Sequence, residues 1–256
     1  HLLASKPLLV LSLLALAAST AVLTGCPQES TDPPAVDTTW REAFDARETG
    51  WLLNAWGPSA SDVYAVGGAP SAGVMMHFDG KTWSPVELPA GTPLLAWGYG
   101  FSATDITFVG DAGTILHFDG ATFTPQASGT TEDLWGVWGA APDDLWAVGG
   151  SGQKGPVPTL LHFDGAAWSA SVTPTLQRAN VNAFFKVWGT SASNVYVVGQ
   201  RGTVLHNDGA SWKEELVGAS DDLISLWGTD AQHVFAVGGR GNGIVSRFDG
   251  KEWRTQ

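Results

Sequence analysis

Four histidines recur in this sequence, each two residues before an Asp-Gly pair. They are His77, His117, His162 and His206. Imidazoles and carboxylates at a constant spacing could bind a metal ion, but a metal site needs ligands that converge on one point. Each histidine belongs to a different copy of a repeated segment, and Arg247 takes the same place in the fifth copy. The pattern therefore predicts a structural role, such as a hydrogen bond along the strand, and no metal or other cofactor.

The aspartates of the Asp-Gly pairs could in principle act as acids or bases in catalysis. They are Asp79, Asp119, Asp164, Asp208 and Asp249. An active site needs one special set of carboxylates, whereas these five are equivalent by position. Aspartate before glycine is typical of tight turns, because its side chain bonds to nearby backbone N–H groups. We therefore predict turns here and no catalytic residue.

These residues belong to a segment that occurs five times with a period of about 40 residues. Each copy has a Trp-Gly pair, two apolar runs, the Asp-Gly pair and an aromatic residue three positions after that glycine. The Trp-Gly pairs begin at Trp56, Trp97, Trp138, Trp188 and Trp227, and the late aromatics are Trp83, Phe123, Trp168, Trp212 and Trp253. Such a period, with several short strands per copy, indicates a β-propeller. We expect an all-β chain of four-stranded antiparallel blades with five repeats visible.

Each copy is expected to form four strands, a to d. Strand a leads into Trp-Gly, strand b is an apolar run such as 63–66, and strands c and d flank Asp-Gly. Asp-Gly between apolar runs predicts a two-residue type I′ loop, which would pair Phe78 with Lys81 and Met76 with Trp83. Phe78, Met76 and Trp83 would then share the face that packs on the neighbouring blade, with His77 on the other face.

The completeness of the ring is open at this point. The segment 38–44 looks like an isolated strand d before the first full repeat, although the fifth repeat already has its own strand d at Trp253. Either the ring has five blades and a spare strand, or it is incomplete because further C-terminal blades are missing. We expect the second arrangement.

The N-terminus carries a possible modification site, Cys26. An uncharged apolar run over 7–23 follows Lys6 and ends in Leu23-Thr24-Gly25-Cys26, which resembles a bacterial lipoprotein signal with its lipobox. The resemblance implies a signal peptide over 1–25, lipidation of Cys26, and an anchor in the cell envelope. Pro27, at the sorting position, favours the outer membrane. An uncleaved membrane helix is the alternative.

Composition limits the remaining possibilities. The proline-rich stretch 26–38 predicts a flexible tether, which leaves 39–256 for the propeller. Formal net charge is −12, and we find no cluster of Lys and Arg. Nucleic acid is therefore not an expected partner, because a phosphate-binding surface needs clustered cations.

The run Phe78-Asp79-Gly80-Lys81-Thr82-Trp83 resembles the second half of the Asp-box, or BNR, repeat of bacterial propellers. The first half does not match, and the whole repeat is closer to Trp-Gly-rich propeller repeats of bacterial surface lipoproteins. That resemblance implies a fold and a compartment but no activity. Sialidases share the Asp-box propeller, so a secreted glycan-cleaving hydrolase is the alternative function. It would require an arginine trio converging beside a carboxylate in the central channel.

Differences between the copies lie on one rim of the predicted propeller. The c–d turns are nearly identical, whereas the b–c and d–a connections vary in length and carry polar residues. Variable loops on a rigid scaffold are where binding usually resides. The candidate binding residues are Lys154, Arg178, Asn180, Arg201, Arg240 and Asn242. We therefore expect a lipid-anchored, non-enzymatic module that binds an unidentified protein or glycan through the b–c/d–a rim.

Overall fold

The computed structural model describes residues 39, 42–47, 49–151 and 158–256. Residues Glu42–Gln256 form one compact unit, built from five four-stranded antiparallel sheets. The predicted signal peptide, the tether and Lys154 lie outside the described residues. Within the part that is described, no helix is long and apolar enough to cross a membrane.

The strands follow one another in chain order and pair with their sequence neighbours. The first sheet contains β1 to β4 (Trp51–Ser59, Asp62–Ala69, Ala72–Phe78 and Trp83–Val86), and the second contains β5 to β8 (Leu95–Ser102, Asp105–Gly110, Ile115–Phe118 and Phe123–Pro125). The third contains β9 to β12 (Leu134–Ala141, Asp144–Gly149, Thr159–Phe163 and Trp168–Ala170), and the fourth contains β13 to β16 (Phe184–Ser191, Asn194–Gly199, Val204–Asn207 and Trp212–Glu215). The fifth contains β17 to β20 (Leu223–Asp230, His233–Gly238, Ile244–Phe248 and Trp253–Thr255). Short 3₁₀ turns at Asp111–Gly113 and Gln200–Gly202 connect strands b and c in the second and fourth sheets. The predicted all-β fold with four strands per repeat is confirmed.

The first strand of each sheet lies at the centre of the assembly. β1 contacts β5, β5 contacts β9, β9 contacts β13, and β13 contacts β17. Among the described residues, no comparable contact joins β17 back to β1. The five described sheets therefore form an arc and not a closed ring, which is consistent with the expected incomplete ring. The isolated strand d expected at 38–44 is wrong for Glu42–Phe44, which are not in a strand.

The Trp-Gly pair is explained by contacts between neighbouring sheets. A Cβ added to Gly189 would lie 2.8 Å from the ring of Trp138, and one added to Gly228 would lie 2.7 Å from the ring of Trp188. The indole of one sheet thus covers the glycine of the next sheet, and only a glycine leaves room for it. In the structure as described, no further sheet places a glycine against Trp227, and this indole is 60% exposed.

The register of the second repeat differs from the one that the sequence pattern predicts. Tyr99 pairs with Thr107 of strand b, as Trp56 pairs with Tyr64 and Trp138 with Trp146. Tyr99-Gly100, and not Trp97-Gly98, is therefore the structural equivalent of the other Trp-Gly pairs. The second copy contains two aromatic-Gly pairs two residues apart, so both share a face and the sequence pattern selected the wrong one.

The c–d hairpin also differs from the prediction. Phe78 pairs with Trp83 and Met76 with Pro85, so the loop has four residues and not two. Gly80 has a positive φ of 90°, but no positive φ occurs at Asp79, which excludes type I′. Asp79 instead accepts the N–H groups of Lys81 and Thr82 at 2.9 and 2.8 Å. These backbone hydrogen bonds lower the pKa of the Asp79 carboxyl group.

The predicted face assignment survives this correction, because a register shift of two residues keeps each side chain on its face. Trp83 and Phe78 are in contact, with ring centroids 5.3 Å apart, and His77 stacks on Tyr64 on the opposite face. The late aromatics of the later repeats pack against strand b of the preceding sheet: Trp212 meets Trp146 at 5.0 Å, and Trp253 meets Tyr196 at 5.9 Å. Aromatic contacts between successive sheets therefore form much of the core.

The outer face of the fifth sheet lacks such a neighbour. Trp227, Phe235, Val237 and Val245 are all at least a third exposed there. Phe235 pairs with Trp227 on one side and Arg247 on the other. It therefore holds the strand-b position at which Trp146 and Tyr196 contact the following sheet.

Candidate functional site

The repeated histidines are structural, and their hydrogen bonds cross from strand c to the start of strand b. His77 donates to Asp62 at 2.7 Å, and His206 donates to Asn194 at 2.9 Å. The equivalent bonds of His117 to Asp105 and His162 to Asp144 are 3.0 and 2.7 Å long. The predicted structural role is correct, but the partner lies on the adjacent strand and not along the same one. Within the described ranges, no three His, Cys, Asp or Glu side chains converge on a possible metal position.

The b–c and d–a connections share one rim and are hydrogen-bonded to each other. In the second and third repeats, the N–H group of Ala112 donates to Asp133 at 3.0 Å. In the fourth and fifth repeats, the N–H group of Arg201 donates to Asp222 at 3.0 Å. Ala112 and Arg201 have nearly the same left-handed conformation, with φ of 54° and 57°. The turn backbone at Arg201 is therefore part of the scaffold, and its exposed side chain is available for other contacts.

Asp222 brings two of the predicted binding residues together. Its Oδ1 accepts the backbone N–H of Arg201, and its Oδ2 accepts Nε of Arg240 at 2.6 Å. The backbone N–H of Arg240 also donates to Asp221 at 3.1 Å, which lowers the pKa of the Asp221 carboxyl group. Asp222 itself is nearly buried. A buried carboxylate thus holds the Arg201 and Arg240 loops side by side.

The remaining predicted residues lie in neighbouring loops. Arg178 and Asn180 belong to the connection between β12 and β13, whose Asn182 N–H donates to Gln200 Oε1 at 2.8 Å. Asn180 is exposed with a positive φ of 61°, and Asn242 is exposed between β18 and β19. In the described part of the chain, the guanidinium groups of Arg178 and Arg201 form no ion pair, whereas Arg240 is paired. The structure thus places these residues in adjacent loops of one arc, which we call the arginine rim (Arg178, Asn180, Arg201, Arg240 and Asn242).

The same rim carries a concave surface further along the arc. A cavity of about 800 Å³ lies between the connections 89–93 and 125–132 and the turn at 112–114. Of the predicted binding residues that the structure describes, none lines it. The Pro, Gly and Thr residues of these connections predict irregular, exposed backbone, but they do not predict a cavity.

The inner strands line a second candidate site, which the sequence pattern does not predict. A cavity of about 560 Å³ lies between them, and we call it the inner cavity. Its aromatic side chains are Trp56, Trp97, Tyr99, Trp138, Trp188 and Trp227. Lys186 also lines it, as well as an adjoining cavity of about 250 Å³.

Lys186 is the unusual residue of the inner cavity, since its side chain is buried and only 8% of the residue is exposed. Its ammonium lies 3.0 Å from the centre of the Trp97 ring and donates to the carbonyl oxygen of Trp135 at 3.3 Å. Burial lowers the pKa of Lys186 to about 7. The converging arginines and carboxylate that the hydrolase alternative requires are not among the described residues lining either inner cavity.

Comparison with known proteins identifies the fold. The chain resembles YCF48 bound to a D1 peptide at a TM-score of 0.54 and 16% identity, covering 76% of this chain and 63% of that one. It resembles the WD40 β-propeller domain of Doa1 at a TM-score of 0.58 and 12% identity, covering 78% of this chain and 65% of that one. It also resembles the six-bladed fucose-recognising lectin of Aleuria aurantia at a TM-score of 0.52 and 15% identity, covering 79% and 76%.

The chain has a β-propeller fold. It spans less than two thirds of the length of the YCF48 and Doa1 chains named above. No protein-family model matches the sequence, and no curated protein is similar to it at a significant level. At these identities the similarity establishes the architecture alone.

Proposed function

We propose that this propeller is a non-enzymatic binding module, anchored to the bacterial cell envelope by a lipid on Cys26, with the arginine rim as its binding surface. The observation that carries the proposal is the set of arginines held in adjacent loops by Asp222 and Gln200. The whole chain has a net charge of −12, whereas the arginine rim carries two guanidinium groups, those of Arg178 and Arg201, that have no ion pair with any described residue. The partner is a protein or glycan that presents acidic groups to this rim.

Related architectures support a binding role. One of the similar propellers was determined with a peptide, and another is described as recognising fucose. Rigid sheets with exposed loops on one rim suit such recognition, because the scaffold places the loop side chains at little cost in conformational entropy. We propose no catalytic residue and no cofactor.

The rim proposal predicts a charge-dependent loss of binding. Changing Arg178 and Arg201 together to Gln should weaken the capture of an envelope partner about tenfold, since each exposed ion pair contributes ~0.5–1 kcal/mol. Arg240 is left unchanged because its side chain is bound to Asp222. Capture is measured by titrating the immobilised protein with a solubilised cell-envelope fraction at low and physiological salt. The wild-type advantage should shrink as salt rises.

A matched control removes the same charge elsewhere. Lys81 and Lys251 lie in the c–d turns on the opposite rim, and their double change to Gln alters the net charge equally. This variant should capture the partner as the wild type does. Equal losses in the two double variants would mean that net charge, and not the rim, determines capture.

The lipid anchor predicts a separate result. In a Gram-negative host, the wild-type precursor should incorporate labelled palmitate and fractionate with membranes, whereas Cys26→Ser should do neither. The reason is that stable anchoring needs more than one acyl chain, and the family chemistry begins at that thiol. Label in the Cys26→Ser protein would refute the anchor without affecting the rim proposal. The N-terminus of the mature protein tests the proposed boundary between the signal peptide, 1–25, and the tether, 26–38, which precedes the propeller, 39–256.

A further inference from the structure

The inner cavity is built in two layers, which the strand registers define. Five residues pair with the same position of strand b and form the first layer: Trp56, Tyr99, Trp138, Trp188 and Trp227. Two residues earlier on each inner strand, a second layer pairs with the last valine of strand b: Asn54, Trp97, Gly136, Lys186 and Ser225. The first layer is entirely aromatic, and the second is mixed and contains the only cation among the described lining residues.

Gly136 explains how Lys186 reaches its position. It lies on the third sheet, between Trp97 of the second and Lys186 of the fourth. A Cβ at Gly136 would lie 3.2 Å from Cα of Lys186 and 3.1 Å from the carbonyl oxygen of Phe185. The backbones of β9 and β13 therefore approach closely at Gly136. Because this residue has no side chain, the lysine side chain can pass it to reach the Trp97 ring.

Among the residues that the structure describes, the Lys186 ammonium has no anionic partner. Of its possible hydrogen bonds, the structure contains one, to Trp135, and the contact with Trp97 uses the face of the indole. The other ionisable side chain lining the two inner cavities within the described chain is Tyr99, whose pKa is raised by burial, so it stays neutral. A buried ammonium without a counter-ion is costly unless an anion joins it. The cost is the reason for the lowered pKa of Lys186.

We propose that the inner cavity is a second binding site, separate from the arginine rim, which takes a small planar aromatic carboxylate. The ring of the ligand lies among the indoles of the first layer, and its carboxylate accepts hydrogen bonds from Lys186 in the second layer. A cavity of about 560 Å³ is within the range of small-molecule sites, which combine apolar walls with a few placed polar groups. The indole faces provide stacking surfaces, and the single cation determines the orientation.

Binding of such a ligand should be coupled to proton uptake. The pKa of free Lys186 is about 7, and an adjacent carboxylate raises the pKa of an ammonium group. The apparent affinity should therefore be constant below pH 6 and fall as pH rises above 7, by up to about tenfold per unit. At pH 8, binding should take up close to one proton per ligand, and at pH 5.5 almost none. Neutral Tyr99 should contribute nothing over this range.

The experiment uses 2-naphthoate with the full chain in titration calorimetry, in buffers of different ionisation enthalpy, at pH 5.5, 7 and 8. The neutral 2-naphthamide is the matched ligand. Lys186→Met keeps the length of the side chain and removes its charge, and Lys213→Met is the surface control. We expect naphthoate to bind more tightly than the amide at pH 5.5, with a loss of at least tenfold in Lys186→Met and no change in Lys213→Met.

Three results would overturn the proposal. They are no binding of naphthoate at millimolar concentration, equal affinity for naphthoate and naphthamide at pH 5.5, or unchanged naphthoate affinity in a folded Lys186→Met protein. If Lys186→Met does not fold, proton uptake by the wild type at pH 8 decides the question by itself, since only an ionisable group at the site produces it. The rim variants should bind naphthoate normally, so failure here and failure of the proposed function are distinguishable.

Discussion

Replacing Tyr196 with alanine should lower the free energy of unfolding by about 4 kcal/mol, in the range typical of a buried aromatic residue. Tyr196 is 1% exposed and sits between the fourth and fifth sheets, where its ring contacts Phe248 and Trp253. It also stacks on His206 within its own sheet, with ring centroids 4.3 Å apart. The substitution removes all three contacts and leaves a cavity that β-strands on both sides cannot readily close.

Phe235 provides a matched control within the same protein. It has the same position in the fifth repeat, but it is 36% exposed, because the fifth sheet has no sheet on its outer side within the described structure. Phe235→Ala should therefore cost about 1 kcal/mol, close to the average for a single substitution. Both variants are compared by urea unfolding followed by circular dichroism. If both variants lost a similar free energy of unfolding, the contact between sheets would not be the source of the stability that Tyr196 provides.

Repetition explains why the fold could be predicted from the sequence. Glycines, aromatic residues and apolar runs occur in the same order in all five copies, which identifies the strands. Side chains alternate between the two faces of a strand, so Phe78 and Trp83 share a face whether the loop has two or four residues. The error in the register of the second repeat occurred because repetition gave two possible solutions. Trp97-Gly98 and Tyr99-Gly100 lie two residues apart, so both fit the pattern, and only the pairing of Tyr99 with Thr107 distinguishes them.

The candidate sites depend on contacts that no single repeat contains. Asp222 precedes β17 as Asp133 precedes β9, yet only Asp222 binds an arginine side chain as well as a turn. Lys186 interrupts an apolar strand, and in the sequence it resembles an exposed residue at the edge of a sheet. Its environment arises from Trp97 two sheets away and from Gly136 between them, which has no side chain to obstruct the lysine. The position of a side chain across an assembly of sheets is set by tertiary packing, which local pattern does not encode.

The glycine that follows the last valine of strand b is also required by packing between strands. In each repeat a Cβ at that position would collide with a backbone carbonyl oxygen near the start of strand a. The glycines are Gly67, Gly110, Gly149, Gly199 and Gly238, and the separations from the carbonyl oxygen would be 1.7, 2.0, 1.9, 2.5 and 2.0 Å. The repeat therefore requires glycine there because of close approach, and not because of a left-handed conformation.

Gly110→Ala should accordingly destabilise the protein by about 3 kcal/mol, at the upper end of the cost of overpacking. Gly110 has an extended backbone, with φ of −168°, so alanine suits its dihedral angles and the effect must come from the collision with the carbonyl oxygen of Leu94. That oxygen also accepts the N–H group of Asp111 at 2.9 Å, and displacing it should break this bond. Urea unfolding measures the loss, and hydrogen exchange at the Asp111 amide should accelerate.

Gly243→Ala is the control, because no atom lies within 4 Å of the added Cβ and the residue has no positive φ. It should be neutral or stabilise the protein by up to ~1 kcal/mol, since alanine restricts the unfolded chain. If Gly110→Ala were as stable as Gly243→Ala, strand a would be able to move away from strand b without loss. The close approach of these two strands would then not be what requires glycine in every repeat.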